Sequence, residues 1–178
     1  MTSSPRAGVA APAIEIAIQS ARWSAFPRAT QVVRRAIKAA APRSAAGAEV
    51  SVLLTDDNRI RKLNREWRGQ DKPTNVLSFP AVPAARPSRT SGRSRAAMGE
   101  KIFLGDMIIA YQTTAREALA DHKPFAHHLA HLAVHGFLHL LGYDHESDED
   151  AEAMEKLERR ILSRIAIPDP YVTRAVRL

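Results

Sequence analysis

Read as a pattern of apolar and polar positions, the chain alternates between two periods. Ile14-Glu15-Ile16-Ala17-Ile18-Gln19 repeats every second residue, the signature of a strand with one face buried. From Phe26 to Ala41 the apolar positions Ala29, Val32, Val33, Ala36 and Ile37 recur at helical spacing, with Pro27 suited to a first turn and Pro42 just past the end. Glu49 to Leu54 reads as a second strand. Thr55 or Asp56 can cap the helix that follows, where Ile60, Leu63 and Trp67 share a face and Gly69 supplies a stop, which leaves Arg68 at a helix terminus. Thr74 to Phe79 reads as a strand near a sheet edge, closed by Pro80. Lys101 to Tyr111 is again strand-like, interrupted at Gly105-Asp106, where a bulge or a close backbone approach is expected. The remaining pattern predicts a short helix over Thr113 to Ala120, a helix from Pro124 to about Leu141, and an amphipathic helix from about Ser147 to Arg164. Strands and helices are mixed, so the expected class is α+β, or α/β, with one small mixed sheet covered by helices.

The segment from Pro83 to Gly99 departs from both periods. Arg89, Arg93 and Arg95 are interleaved there with Ser, Pro, Gly and Ala, a composition that cannot bury a face and predicts a flexible loop. Met1 to Ala13 lacks the continuous apolar block of a signal peptide or a membrane span. The expected organisation is a flexible tail over residues 1–13, one catalytic domain over 14–168, and a second tail over 169–178. A chain of 178 residues with 45% hydrophobic positions suffices for one core.

Composition then narrows the chemistry. There is no cysteine, so disulfides and thiolate metal sites are excluded, and any transition-metal site must use imidazole and carboxylate. That suits a cytoplasmic protein. The formal net charge is +7 and the basic excess precedes residue 144, where an acidic stretch begins. A basic surface favours polyanions, although a generally Arg-rich solvated surface explains the charge equally well.

The richest chemistry lies in His135-Gly136-Phe137-Leu138-His139-Leu140-Leu141-Gly142-Tyr143-Asp144-His145. Residues four apart on a helix lie roughly 6 Å apart along its axis on nearly one face, so His135 and His139 can hold one ion from successive turns. Gly142 permits a sharp exit, and His145 can fold back as a third ligand. A fourth tetrahedral position then stays open, as in catalytic rather than structural zinc sites. A lone pair of histidines four apart is commonly incidental; three spaced around a helix-breaking glycine are not. His128 is about two turns from His135, too far to share its ion. His122 and His127 read as surface residues, and His131 as a buried hydrogen-bonding group. In a zinc peptidase the second place of this spacing holds a glutamate base. Here it is Gly136, which cannot accept a proton.

This segment resembles the signature of the YbeY family, bacterial metal-dependent single-strand endoribonucleases. Two further blocks are similar to that family: Leu63-Asn64-Arg65-Glu66-Trp67-Arg68-Gly69-Gln70-Asp71-Lys72-Pro73-Thr74-Asn75-Val76-Leu77-Ser78-Phe79-Pro80, and Leu104-Gly105-Asp106-Met107. The resemblance implies an α+β fold related to zinc hydrolases, with the metal-binding helix near the C-terminus and one Zn2+ per chain held by His135, His139 and His145. It further implies cleavage of single-stranded RNA, and a role in maturation of ribosomal RNA, especially the small-subunit RNA end, and in ribosome quality control. The implied partners are single-stranded and ribosomal RNA and the ribosome or its small subunit, with no DNA and no membrane.

Arg68 falls on the family's functionally important arginine, and a guanidinium fork at a helix end independently suits a phosphodiester oxygen. The general base stays open among water activated by the metal, an RNA hydroxyl, Asp144 and Asp106. Two other functions compete: a zinc hydrolase or peptidase on another substrate, and a zinc-stabilised ribosome assembly factor that binds RNA without cutting it. The loop from Pro83 to Gly99 is longer than the family pattern leads one to expect, and is either an RNA-contacting arm or a passive insertion.

Overall fold

The structure is a computed structural model that describes residues 11–81 and 102–172 of the 178. The expected loop over 83–99 and most of both expected tails lie outside the described residues. Four strands form one sheet: β1 (Ala13–Ile18), β2 (Glu49–Thr55), β3 (Val76–Pro80) and β4 (Phe103–Ala110), in the order β1-β2-β4-β3. The first two pairings are parallel and β3 runs antiparallel to β4. The mixed sheet follows from the connections, since parallel neighbours need a crossover. Helix α1 (Ala29–Ala40) supplies the one between β1 and β2. Among the described residues the other α-helices are α2 (Asp57–Arg68), α3 (Tyr111–Ala120), α4 (Phe125–Leu140) and α5 (Asp148–Arg164).

The strand period decides which face is buried against what. Val50, Val52 and Leu54 of β2 and Met107 and Ile109 of β4 point to one face. There they pack with Val33 and Ile37 of α1, Leu129, Val134 and Phe137 of α4, and Ile161 and Leu162 of α5. On the opposite face a smaller cluster joins Ile60 of α2 to Leu77, Ile108 and Ala110, with Leu53, Leu63 and Phe79 at its margin. Helix α2 is therefore the lesser cover, and among the described residues part of that face has no other cover.

Local signals place the ends of these elements. Asp56 caps α2 by accepting from the Arg59 amide at 3.0 Å, and Gly69 closes the helix at φ 69° while donating to Arg65. β3 is an edge strand, as Pro80 requires. The expected irregularity falls one residue earlier than Gly105-Asp106: the β2–β4 ladder shifts register between Glu49 and Val50, leaving Leu104 as the extra residue on β4. Gly105 lies at φ 134°, and a Cβ there would sit 2.2 Å from the Phe79 carbonyl oxygen, so the close approach comes from the neighbouring strand's backbone. The expected helix from Phe26 begins later: Trp23 sits in a short 3-10 turn, Ala21–Ala25, its buried indole donates to the Thr55 carbonyl at 2.8 Å, and α1 starts at Ala29. No helix of the described residues is long and apolar enough to cross a membrane.

Candidate metal centre

Helix α4 is the most buried helix, apolar on almost every side, and its exceptions are imidazoles. His135 and His139 lie one turn apart with their Nε2 atoms 3.1 Å from each other. The helix ends through Gly142, at φ 90°, whose amide donates to the His139 carbonyl while that of Tyr143 donates to Leu138. The chain thereby reverses, and His145 stacks on His135 with ring centroids 5.8 Å apart. Asp144 holds the turn by accepting from the His145 amide at 2.8 Å. One ligand atom from each of His135, His139 and His145 lies within 4.8 Å of the others, a group that can hold a metal ion. Tetrahedral zinc with Zn–N of about 2.0–2.1 Å would bring such nitrogens to roughly 3.3 Å from one another, so the cluster needs only a small adjustment.

Its protonation suits a metal as well. Burial, together with the charges of His135 and His145, depresses the His139 pKa to about 4, so the ring is a neutral ligand at neutral pH. His135 turns its Nδ1 to Glu158 Oε1 at 2.8 Å, which leaves Nε2 for an ion. Glu158 comes from α5 and is fully buried. Its other oxygen engages His131 Nε2 at 3.0 Å and accepts from the Tyr171 hydroxyl. Burial alone would raise this carboxyl, but the hydrogen bonds from His131, His135 and Tyr171 prevail and hold it at about 2. The same burial and the Glu158 carboxylate push the Tyr171 phenol above its ordinary range.

The opposite wall comes from α2 and β3. Arg68, Asn75, Ser78, Pro80 and Asp144 line a pocket of about 440 Å3 together with the three histidines. Asn75 is held by Glu117 of α3, which accepts from its amide at 2.9 Å and engages His128 at the same distance. Ser78 donates to the Gly136 carbonyl at 2.9 Å, tying β3 to the histidine helix. A Cβ on Gly136 would meet Met107 Cε at 2.8 Å, Ser78 Oγ at 3.0 Å and Val76 Cγ2 at 3.1 Å. The position a peptidase gives to glutamate is thus closed by the sheet.

Comparison with known proteins settles the family. The family model described as endoribonuclease YbeY matches residues 15–166. The chain belongs to the YbeY endoribonuclease family. Curated YbeY relatives include the endoribonuclease of Rhodopseudomonas palustris strain BisA53, 55% identical over 163 residues and covering 90% of both chains. That of Bradyrhizobium sp. strain BTAi1 is 52% identical, covering 92% of this chain and 94% of its own. A solution structure of a Thermotoga maritima protein aligns over 92% of this chain and 99% of its own, with a TM-score of 0.54 and 23% identity, a likeness of fold.

As a YbeY endoribonuclease the chain is a phosphodiester hydrolase with an RNA substrate, carrying a histidine cluster able to bind metal. Three of the sequence's site residues meet in the cluster, and Arg68 joins them in the pocket. His131 takes the hydrogen-bonding place expected of it, although it is partly exposed rather than buried. Asp106, weighed as a general base, does not line this pocket: its neighbour Met107 packs under Gly136, and strand alternation sends Asp106 to the other face. Sequence reasoning missed Glu158, Glu117 and Asn75. The signal for Glu158 was faint, an acid repeating on the apolar face of an amphipathic helix between Met154 and Ile161–Leu162.

Proposed function

We propose that this chain cuts single-stranded RNA with one zinc ion held by His135, His139 and His145 and with Arg68 acting on the substrate phosphate. We assign the activity to one catalytic domain over residues 14–168, and its cellular task to ribosomal RNA maturation, including the small-subunit RNA end, and to ribosome quality control in the cytoplasm. The ribosome or its small subunit is then the partner. The observation that carries the reading is the convergence of three imidazoles and one guanidinium on a single pocket in a YbeY-family chain.

Imidazole ligands suit zinc better than magnesium or calcium, which prefer oxygen. Zinc so held supplies Lewis acidity toward a phosphate oxygen and toward water. The chain's own groups do the rest. Glu158 fixes the His135 ring so that Nε2 faces the ligand position. His139, neutral at working pH, offers a lone pair without first losing a proton. Arg68 presents a planar fork to the phosphoryl oxygens and offsets charge as it develops there. Asp144 is the carboxylate in the pocket, and its hydrogen bond to the His145 amide gives it the role of holding the third ligand's turn.

The test uses purified chain with single-stranded RNA and with casein, with and without a chelator. RNA cleavage that is lost on chelation and returns with zinc is the expected result. Casein cleavage would select a peptidase, and RNA binding by the zinc-loaded chain without cleavage would select a zinc-stabilised assembly factor.

A further inference from the structure

Across the sheet from α4, the face that α2 covers incompletely carries a groove of about 630 Å3, with Arg59, Leu63, Trp67, Phe79, Pro80 and Asp106 along it. Trp67 is 65% exposed, an unusual position for the largest apolar side chain. Its ring meets Phe79 edge to face at a centroid distance of 5.8 Å, so it has a fixed orientation with much of its surface open. Pro80 lines both this groove and the histidine pocket, making the two surfaces continuous around the end of β3. Trp67 and Arg68 are consecutive in the last turn of α2, where successive side chains diverge by roughly 100°. One helix end thus gives its guanidinium to the pocket and its indole to the groove.

We propose that this groove is a binding subsite for single-stranded RNA, in which a base beyond the two nucleotides joined by the linkage to be cut stacks on Trp67. The proposal rests on the endoribonuclease reading and deepens it. Single-strand sites combine an aromatic stacking surface with cationic groups for the backbone, and Trp67 and Arg59 provide both. Asp106 fits the same occupant: a carboxylate repels phosphate but accepts hydrogen bonds from the amino edge of cytosine or adenine. The base therefore enters the groove with its edge toward Asp106, while the phosphates stay toward Arg59.

The experiment measures binding of the zinc-loaded full chain to two cleavage-resistant phosphorothioate oligoribonucleotides of about eight nucleotides, a length typical of single-strand sites. One is oligocytidine; in the other only the two central nucleotides keep their bases, so the phosphate count is unchanged. Removing the flanking bases should cost the parental chain about tenfold in affinity, the scale of one lost base stack. In Trp67→Ala that cost should disappear, and in Trp67→Phe most of it should return. Zinc content and the unfolding midpoint identify a variant that has not folded, and Trp67→Phe then carries the comparison. An undiminished cost in folded Trp67→Ala overturns the subsite. So does unchanged RNA affinity accompanied by loss of self-association in sedimentation, which would assign the groove to a second copy of the chain. Failure of the endoribonuclease reading appears elsewhere, as a parental chain that neither binds nor cuts RNA.

Discussion

His139 sits deepest in the proposed ligand set in electrostatic terms, because burial and two neighbouring imidazoles keep it neutral well into acid. Replacing it with alanine removes one of three donors. Zinc content, near one per chain in the parental protein, should then fall sharply while circular dichroism still reports a folded chain. Elemental analysis that finds full zinc in folded His139→Ala would exclude this ligand set. Arg68 tests a different function. It is exposed on the last turn of α2 and takes no part in the core, so Arg68→Ala should keep zinc and the thermal midpoint nearly unchanged while RNA cleavage drops. Loss of one positioned charge-stabilising donor typically costs about a hundredfold or more in rate. Arg68→Lys should recover only part, since an ammonium cannot make the bidentate contact. Cleavage by Arg68→Ala at the parental rate would return Arg68 to the surface.

At the scale of elements, the pocket depends on how closely α4 lies on β3 and on what α5 puts behind it. In an open helix Gly136→Ala would add roughly 1 kcal/mol of stability. Here the new methyl group meets Ser78, Val76 and Met107, and overpacking costs about 1–3 kcal/mol. The balance is a loss: the melting temperature should fall by a few degrees, and zinc affinity with it, as α4 shifts from the strand. A midpoint raised by the substitution would mean that the Met107 terminus yields freely. Glu158 reaches the cluster from α5, the element behind the histidine helix. Glu158→Ala removes the acceptor that holds His135, and loss of such a partner usually weakens metal binding by about 10–100-fold. Competition against a chromogenic chelator measures this directly. Glu158→Gln keeps an oxygen for His135 and should lose less, which also guards against a folding defect in the alanine variant.

For the whole molecule, the same buried groups make acid stability of the metal-free chain predictable. His139 titrates at about 4 in the fold against an ordinary 6.5, so the unfolded chain takes up the extra proton as pH falls through that interval and stability declines. Glu158 titrates at about 2 against an ordinary 4.5; its contribution is fully present above 4.5 and is lost as pH falls toward 2. Both terms have the same sign. Denaturant midpoints of the metal-free chain should decrease from about pH 7 downward, with a further decline below 4.5 that is smaller in Glu158→Gln, where Glu117 and the other lowered carboxyls still contribute. A flat profile over that range would contradict the neutral state assigned to His139. Much of this architecture follows from sequence because it depends on local rules. Helical and strand periods, the Asp56 cap, the Gly69 and Gly142 exits and the four-residue spacing of His135 and His139 are short-range constraints, legible along the chain. Other features could not be read that way. Which strand lies beside which, why Gly105 admits no side chain, how Arg68 reaches the histidines, why Asp106 turns from them, and the partnership of Glu158 with His135 across 23 positions all depend on contacts between distant segments. A periodic pattern states which face of an element is buried, whereas only the packed chain decides what it is buried against.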